Sequence, residues 1–521
     1  MTEYTNPVVP GFAPDPSVIL VDGVFYLATS SFHLYPGIPI YASRDLHKWH
    51  HITNAIHRPE QLSLRNGSTF SMPLHGGGKM LACGGLFAPT IRHHEGRFFI
   101  ICTNATTNPV FRVQNFYIWT DDIWDGLWSN PVEFPFKGID PSLFFEDGRA
   151  YVQGSFSLGM DQNPSCTIKQ FEINIETGQP MSEPVEIWPG HSKIDTEGPH
   201  IYKRDGWYYL LVAEGGTFQH HMLSIARARS IWGPYEGFEK NPIMTSDGKP
   251  GEYIQNIGHG ELVEDAAGRW WATVLGVRKR HDCHPLGRET FLAPVEWPVD
   301  GWPSISQPAA TFTAPDKRFD KRVASVNADV GFVYIRDSEP SNYQMPHGES
   351  KQIVLRPSLG DLSQSTGTAT FVGRRQRALS AVTKATLDLA GSGGRDTDII
   401  AGLAIYKHNL HHVLLRYDFK TRTVTFRGVN QVTGLSKEAG PSFVVGDSVG
   451  ALQFKIETSD AEYHGFVSVD GPFEKGWQSL GTWQTSDFTA NEMTGPVFGV
   501  FAHSSSEDDL SSEVVFMDTI F

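Results

Sequence analysis

The chain has 521 residues, more than one ordinary hydrophobic core organises, so two domains are expected. Its 43 Lys and Arg against 58 Asp and Glu give a net charge of −15, which argues against nucleic acid or an anionic membrane surface as a partner. No apolar run approaches the roughly 18 residues of a membrane-spanning helix, and the aromatic, Gly and Pro content is typical of a turn-rich β protein.

The first residues, MTEYTNPVVPGF, lack the basic and apolar segments of a signal peptide. A signal is therefore either absent or already removed, and both a cytoplasmic and a secreted location stay open. The four cysteines show no CxxC spacing and are too few for a disulfide framework: Cys83, Cys102, Cys166 and Cys283. We expect buried free thiols, which suits a reducing compartment.

A short pattern recurs five times along the N-terminal part of the chain. The copies are DPSVILVDGVFY from Asp15, APTIRHHEGRFF from Ala88, DPSLFFEDGRAY from Asp140, GPHIYKRDGWYY from Gly198 and, more loosely, HGELVEDAAGRWW from His259. Each predicts a strand, a tight turn and an aromatic strand, because Asp-Gly or Glu-Gly supplies the positive φ of hairpin turns. The intervals leave room for two more strands per copy. One four-stranded blade per copy predicts a five-bladed β-propeller, and the alternative is a β-sandwich with accidental echoes.

We predict an all-β protein in which this propeller, residues 1–310, is followed by a linker, residues 311–325. The linker prediction rests on a shift towards Pro, Ser, Ala and Thr. Residues 326–521 alternate with a period of two, and turns such as Asp470-Gly471 separate short strands. This pattern predicts a β-sandwich of the jelly-roll or concanavalin-like type.

The residue before Pro starts the innermost strand of its blade, and equivalent positions in a propeller form a ring around the axis. Asp15, Asp140 and Glu197, which precedes Gly198, would then meet at one mouth of the channel. Glycoside hydrolysis needs one protonated and one ionised carboxyl group, and a third carboxylate can keep the acid protonated by repulsion. Taken singly, Asp15 and Asp140 are more often turn or strand-start residues, and Glu197 could be a solvated turn acid, as we expect for Asp195. The shared register of the three residues favours a site instead.

Further side chains are expected around these carboxylates. The aromatic rings that would suit the apolar faces of a sugar are those of Phe32, Tyr35, Phe87 and Phe218. Arg288 would either hydrogen-bond sugar hydroxyls or pair with Glu289 or Glu296.

Three polar residues keep two interpretations each. His221 either touches substrate or, with His220, closes a loop. His259 either ligates a cation on the axis or hydrogen-bonds a backbone carbonyl. Glu214 is expected to cap a turn or orient its neighbours rather than to react.

A second group of histidines invites a metal-site interpretation. His408, Asn409, His411 and His412 lie in AGLAIYKHNLHHVLLRY, which has the pattern of a hairpin crossing. We interpret them as exposed turn residues.

Six segments resemble, in order, those of glycoside hydrolase family 43, especially its β-xylosidases and α-L-arabinofuranosidases. They are NPVVPGFAPDPS, SSFHLYPGIPIYASRDLHKW, IDPSLFFEDG, DTEGPHIYKRDGWYYLLVAEGGT, GHGELVE and LGRETFLAPVEW, over about residues 6–305. The resemblance implies a single inverting displacement with Asp15 as general base, Glu197 as general acid and Asp140 as modulator of the acid's pKa.

The resemblance also bears on substrate contacts and metal. The resemblance implies that Arg288 contacts the sugar, and the residues themselves lead us to expect Phe32, Phe87 and His221 to contact substrate as well. No cofactor is required, and a structural Ca²⁺ ion would lie near His259. Phe87 stands where the family often has Trp, and VLGVRKRHDCHP before LGRET is unlike the usual β-xylosidase segment. These departures leave the choice between xyloside and arabinofuranoside open.

The C-terminal sandwich resembles the one that accompanies many family 43 β-xylosidases. There it packs on the propeller and lends a loop to the pocket rim. The alternative is a stabilising domain without contact to substrate.

We therefore expect an inverting, exo-acting glycoside hydrolase that releases a terminal β-D-xylose or α-L-arabinofuranose from xylo- or arabinoxylo-oligosaccharides. One alternative is an α-L-arabinofuranosidase that debranches arabinoxylan. Another, from a different class, is a non-catalytic carbohydrate-binding propeller, which would have no use for the complete carboxylate trio. Neither nucleic acid nor a membrane is expected as a partner, and a homo-oligomer is left open.

Overall fold

The computed structural model describes residues 2–74, 77–108, 110–159, 162–314, 328–347, 351–393, 396–469 and 476–521. Five small antiparallel sheets come first in the chain, and two larger sheets follow them. Helix in the described ranges is confined to four short 3₁₀ turns: Ala328–Gly331, Pro340–Asn342, Thr485–Phe488 and Glu507–Asp509. Within these ranges, no helix has the length and apolar character needed to cross a membrane.

The five small sheets are the blades of the propeller, and in each of them the chain runs from the innermost strand outward. Blade 1 is Ser17–Val21, Val24–Ala28, Gly37–Ser43 and His50–Ile56. Blade 2 is Gly85–His94, Arg97–Thr106, Arg112–Thr120 and Val132–Phe134. Blade 3 is Gly138–Glu146, Arg149–Ser157, Cys166–Ile173 and Val185–Trp188. Blade 4 is Glu197–Arg204, Trp207–Glu214, Met222–Ala228 and Glu236–Gly237, with Met244–Thr245 also on its third strand, and blade 5 is Ile254–Glu264, Trp270–Arg278, Arg288–Glu296 and Ser304–Ile305.

The innermost strands touch one another in chain order, and the last of them touches the first. The two ends of the propeller also pair, since Thr2–Thr5 forms an antiparallel ladder with Thr311–Ala314. The predicted five-bladed propeller is confirmed, and the accidental-echo alternative is wrong.

The repeated turn has the conformation that its sequence predicts. In the first four blades both central residues have positive φ: Asp22 and Gly23, Glu95 and Gly96, Asp147 and Gly148, Asp205 and Gly206. This is the type I′ geometry, whose twist matches that of the strands it joins. The fifth copy has one more residue, and its Gly268 N–H donates to the Asp265 carbonyl.

The repeated Pro marks a β-bulge in the innermost strand. In blade 3, Asp140 and Pro141 stand between Ile139, which pairs with Ser155, and Ser142, which pairs with Gln153. Blades 2 and 4 shift register in the same way, and blade 5 shifts around His259. Pro has no N–H to give the ladder, so a bulge accommodates it, and bulges re-aim the neighbouring side chain.

The residue before the repeated Pro, or before Gly260 in blade 5, has a left-handed backbone in every blade. The φ angles are 54° for Asp15, 48° for Ala88, 53° for Asp140, 55° for Gly198 and 24° for His259. Asp tolerates this region better than most residues. Residues held in this strained conformation are typical of functional sites.

The C-terminal part is a two-sheet sandwich around one large apolar core, as predicted. One sheet follows the order Leu435–Glu438, Thr423–Asn430, His411–Asp418, Ile399–His408, Val497–Ser504, Thr370–Arg375 and Val333–Ile335, with Phe443–Val444 also on the second strand. The other follows Tyr343–Gln344, Ile353–Leu355, Val514–Ile520, Ala381–Asp388, Ala451–Thr458, Glu462–Val469 and Gln478–Gln484. The predicted Asp470-Gly471 turn lies outside the described residues.

The two parts share hydrogen-bonded structure. The propeller strand Leu34–Tyr35 pairs with Val333–Ile335 and so becomes the edge of the first sandwich sheet. A hairpin between blades 1 and 2, Thr69–Pro73 and Lys79–Cys83, also reaches the sandwich, where the Leu81 N–H donates to the Asn491 carbonyl at 2.7 Å. The predicted linker begins with the strand Thr311–Ala314, and residues 315–325 lie outside the described part.

Two sequence expectations about side chains have different outcomes. All four cysteines are free, and three of them are buried, whereas Cys166 is partly exposed. The interpretation of His408, His411 and His412 as exposed turn residues is wrong, because all three are at most 2 % exposed. The hairpin on which these histidines lie is covered by segments that come much later in the chain.

Candidate active site

Asp15 lies at the mouth of the channel, where the innermost strand of blade 1 begins. Its Oδ2 accepts a hydrogen bond from the Ser30 hydroxyl at 2.5 Å, and its Oδ1 lies 3.2 Å from Arg288 Nη1. Burial works to raise the pKa of Asp15, but the charges of Arg288 and His259 and the Ser30 hydrogen bond outweigh it, so the pKa falls below its usual value. Asp15 is therefore held as a carboxylate.

Asp140 and Glu197 form a second pair of interacting acidic groups. The Gly198 N–H, next to Glu197, is directed at the Asp140 carboxyl. Burial and the Asp15 charge raise the pKa of Asp140, while burial and then the Asp140 charge raise the pKa of Glu197 well above its usual value. Two adjoining carboxyl groups share a proton in this situation, so the pair can hold an acid near neutral pH.

Arg288, on the third strand of blade 5, is buried and has three fixed contacts. Nη1 also donates to Thr217 Oγ1 at 2.9 Å, and Nε donates to the Met493 carbonyl of the sandwich at 3.2 Å. The alternative pairing with Glu289 is wrong, since Glu289 accepts two hydrogen bonds from Arg278. Arg288 thus ties Asp15 to blade 4 and to the second domain.

Glu214 supports the loop that leads into Glu197. Its carboxylate is fully buried and accepts hydrogen bonds from the backbone N–H groups of His191, Ser192 and Lys193 at 2.9 to 3.1 Å. The Thr196 hydroxyl, directly before Glu197, approaches it at 3.3 Å. The expectation that Glu214 caps a turn or orients its neighbours is confirmed.

His221 and His259 both line the site as buried imidazoles. His221 Nδ1 lies 3.1 Å from the Asn256 carbonyl, so Nδ1 carries the proton, and Nε2 has no hydrogen-bond partner among the described residues. Burial lowers the pKa of His221 to about 3, so the ring is neutral and offers a free lone pair. A Cβ on Gly258 would lie 2.2 Å from this ring, which explains the glycine there. His220, by contrast, is exposed and contacts Asp247.

The donor set around His259 does not fit a protein-built calcium site. Ca²⁺ takes about six to eight oxygen ligands. His259 presents Nδ1, and the nearest carboxylate oxygen in the described ranges, Asp140 Oδ2, lies 3.7 Å from it. The single group of three converging His, Cys, Asp or Glu ligands in those ranges is His408, His411 and Glu492, in the sandwich.

Of the aromatic rings expected to contact a sugar, some are buried and others are accessible. Phe32 is 2 % exposed, its ring stacks on those of Phe12 and Phe87, and the Arg288 guanidinium lies 5.4 Å from its centroid. Phe87 is partly exposed, so it is the ring that can face a ligand. Tyr35 belongs instead to the strand shared with the sandwich.

A buried polar network crosses the channel beneath the carboxylates. Arg92 of blade 2 pairs with Glu261 of blade 5 at 2.7 Å and reaches His200 Nδ1 of blade 4 at 3.1 Å. Glu261 Oε2 accepts from the Ser17 hydroxyl of blade 1 at 2.5 Å. These bonds hold four blades in register beneath the carboxylates.

Three site residues were not found from the sequence: Ser30, Thr217 and Met493. Ser30 bonds Asp15 and also accepts from the Ala88 N–H at 2.7 Å, so it joins blades 1 and 2. Thr217 follows the AEGG segment, and its position next to that motif was an available signal. Met493 contributes a backbone carbonyl from a distant domain, which no side-chain pattern reveals.

Residues 4–303, more than half of the chain, match the family model for "Glycosyl hydrolases family 43". The chain belongs to glycoside hydrolase family 43. Residues 324–516 match the "Beta xylosidase C-terminal Concanavalin A-like domain". The resemblance recognised in the sequence is thereby confirmed, and the protein is a glycosidase.

Relatives of this family 43 enzyme cover most of its length. A xylosidase/arabinosidase of Butyrivibrio fibrisolvens is 33% identical over 89% of this chain and 86% of its own. A non-reducing end α-L-arabinofuranosidase of Bacteroides ovatus is 38% identical over 58% of this chain and 54% of its own. The crystal structure of a xylan β-1,4-xylosidase from Bacillus halodurans C-125 superposes with a TM-score of 0.85 at 28% identity, covering 99% of both chains.

Proposed function

We propose that the protein is an inverting, exo-acting glycosidase that releases a terminal pentose, β-D-xylose or α-L-arabinofuranose, from xylo- or arabinoxylo-oligosaccharides. The observation that carries the proposal is the opposed surroundings of two carboxyl groups at one mouth of the channel: Asp15 contacts Arg288, whereas Glu197 adjoins Asp140. Asp15 is held ionised by Arg288, whereas the pKa of Glu197 is raised by burial and by Asp140. One acid and one base in a shared site are what glycoside hydrolysis requires.

In this mechanism Glu197 donates its proton to the glycosidic oxygen as the bond to the leaving group breaks. Asp15 takes a proton from the water that attacks the anomeric carbon from the opposite face. Asp140 does not exchange a proton with substrate, and its negative charge keeps the Glu197 proton in place until the leaving oxygen accepts it. The product sugar has the inverted anomeric configuration.

Substrate recognition is assigned to the groups that remain free around the carboxylates. His221 Nε2 is a neutral, unshared acceptor and suits a sugar hydroxyl donor. The partly exposed Phe87 ring suits an apolar sugar face. Arg288 has a nitrogen, Nη2, that no described hydrogen bond occupies, and it can donate to a second hydroxyl.

The choice between the two pentoses rests on the names of the relatives, which include both activities. We infer exo-action from the C-terminal sandwich, because it places the Met493 carbonyl on Arg288 at the edge of the site. An α-L-arabinofuranosidase that debranches arabinoxylan is the second candidate. The non-catalytic alternative has lost its support, because the chain is a family 43 glycosidase.

The test is a side-by-side assay with aryl β-D-xyloside and aryl α-L-arabinofuranoside, with NMR of the first anomer released. Asp15→Asn is the base variant, because Asn tolerates the left-handed backbone of that position. Asp22→Asn, a left-handed turn position at the far end of the same strand, is the matched control. We expect the wild-type enzyme to hydrolyse the xyloside and to release α-xylose first. Asp15→Asn should lose this activity, and Asp22→Asn should keep it. Release of β-xylose first would overturn the inverting mechanism, and turnover of the arabinofuranoside alone would move the enzyme to the debranching class.

A further inference from the structure

Four ionisable residues form a buried cluster in the sandwich, outside the candidate active site. Lys407, His408, His411 and Glu492 are each at most 4 % exposed. The first three lie on one hairpin, and Glu492 lies on the segment that leads to the strand Val497–Ser504. Burying a charge is costly unless it is paired, so this cluster needs a structural explanation.

Glu492 is the centre of the cluster. Its Oε2 lies 2.9 Å from His408 Nε2 and 3.0 Å from His411 Nδ1, while Oε1 accepts from the Lys407 ammonium. Lys407 Nζ also donates to the Phe488 carbonyl at 2.8 Å. The hydrogen bonds of the Glu492 side chain thus join the segment after Phe488 to the hairpin that carries Lys407, His408 and His411.

The cluster has the donors of a two-His, one-carboxylate metal site, with ligand atoms within 4.8 Å of one another. Two observations argue against a metal. Leu410 N–H donates to His408 Nδ1, so the proton of the neutral ring is on Nε2, the atom that would have to bind the ion. Lys407 already neutralises Glu492, so a divalent cation would add uncompensated charge to a buried site. The cluster is better explained as an all-protein clamp.

The segment that Glu492 anchors is the one that enters the active site. Met493, the next residue, gives its carbonyl to Arg288 Nε at 3.2 Å, and Thr494 Oγ1 donates to the Lys407 carbonyl at 3.1 Å. The fit against the propeller is close, since a Cβ on Gly287 would lie 2.6 Å from the Thr494 carbonyl oxygen. A shift of Glu492 would therefore move the carbonyl that orients Arg288.

We propose that Glu492 is a positioning residue of the active site, which acts through the Met493 carbonyl to fix Arg288 on Asp15. The chain of contacts runs from the buried Lys407 and His408 to Glu492, then along the backbone to Met493 and across the domain boundary to Arg288. This inference rests on the proposed catalytic role of Asp15 and on its contact with Arg288.

The proposal predicts a change in the pKa of Asp15, the proposed general base. The charged and titratable groups that act on Asp15 are Arg288, His259 and His221, together with the Asp140–Glu197 pair. Arg288 is the strongest of those that lower the pKa of Asp15. If Arg288 is less well held, Asp15 takes up its proton at higher pH, and the acid limb of kcat/KM moves upward.

The main variant is the double substitution Lys407→Met with Glu492→Leu. Replacing a buried ion pair by apolar residues of similar size usually preserves folding, whereas removing one partner leaves an unpaired charge. The matched control is Arg427→Met with Glu438→Leu, which removes an ion pair of 3.0 Å in the same sheet. Arg288→Lys shows the direction of the shift when the arginine contact itself is weakened. Thr494→Val removes one hydrogen bond of the segment and serves if the double variant does not fold.

We expect the acid limb of the Glu492 double variant to move to higher pH by about half a pH unit, in the same direction as in Arg288→Lys. The Arg427 control should keep the wild-type limb. If the double variant folds and its acid limb does not move, the positioning role of Glu492 is overturned. Thr494→Val takes its place if the double variant does not fold, and an unmoved acid limb there has the same meaning. Stoichiometric zinc in untagged wild-type protein, measured by plasma mass spectrometry, would overturn the all-protein clamp. Undiminished activity in Asp15→Asn would instead overturn the proposed mechanism itself, which keeps the two failures apart.

Discussion

Arg288 Nη1 lies 3.2 Å from Asp15 Oδ1, although the two residues are 273 positions apart in the chain. This contact joins blades 5 and 1 at the mouth of the channel and favours the ionised Asp15 carboxylate, while the Asp140–Glu197 pair shares one proton. Separate protonation states for adjoining carboxyl groups are the electrostatic basis of the proposed mechanism.

Arg288→Met should raise the pKa of Asp15, because the positive charge that lowers it is removed while burial continues to raise it. The acid limb of kcat/KM should move upward by about one to two pH units, and kcat/KM at neutral pH should fall by roughly 100-fold. The measurement is a pH profile on aryl xyloside. Arg149→Met, an exposed arginine of blade 3, should leave the profile unchanged.

Glu197→Gln should separate substrates by their leaving groups. A natural xylo-oligosaccharide needs a protonated leaving oxygen, so its kcat should fall by about 1,000-fold. An aryl glycoside with a very acidic phenol departs without a proton, so its loss should be far smaller. Rates measured on both substrates with one enzyme preparation decide the point. Equal losses would mean that Glu197 is not the general acid.

Glu214→Gln should loosen the loop before Glu197. The amide keeps one acceptor, but its NH₂ group would face the backbone N–H of His191 in one orientation and those of Ser192 and Lys193 in the other, in a fully buried position. We expect a loss of about 2 to 4 kcal/mol in the free energy of unfolding, measured by urea denaturation. Glu236→Gln, at an exposed edge position of the same blade, should have no measurable effect. A stability equal to wild type in Glu214→Gln would show that the loop is held by other contacts.

Glu492 should make stability depend on pH in the acid range. Burial tends to raise its pKa, but Lys407, His408 and His411 hold it well below the usual value of 4.5. A lowered folded-state pKa adds stability that is present above about pH 4.5 and is lost as the pH falls through the folded-state value. Urea midpoints from neutral pH to about pH 3 should therefore fall more steeply in the wild type than in Glu492→Gln. Parallel curves for the two proteins would refute this linkage.

The sequence predicted the propeller because its signals are local and repeated. A Pro that forces a bulge and an Asp-Gly that forms a type I′ turn each act within a few residues, as in Asp140-Pro141 and Asp147-Gly148. The same register brought Asp15, Asp140 and Glu197 to one mouth of the channel. Those carboxylates could be located without any knowledge of the tertiary contacts.

What the sequence did not predict depends on distant partners. The His408–His411 hairpin was expected to be exposed, because nothing near it in the chain indicates that Glu492, more than 80 residues later, covers it. The Met493 carbonyl is a backbone group and has no pattern of its own. Phe32 was expected to face substrate, but its burial is set by Phe12 and Phe87 from two other segments.

The two-residue strand Leu34–Tyr35 begins two positions after Phe32, at the wall of the pocket. Through it, the propeller supplies the edge strand of the sandwich sheet, so the domain boundary and the buried ring of Phe32, which stacks on Phe87, belong to one short stretch of backbone. Cutting the chain between the domains would leave Val333–Ile335 as a bare sheet edge and would release Phe32 from its tether at the same time. The sandwich thus holds in place the propeller backbone next to the pocket. An enzyme shortened to the propeller would lose the shape of its pocket together with the sandwich.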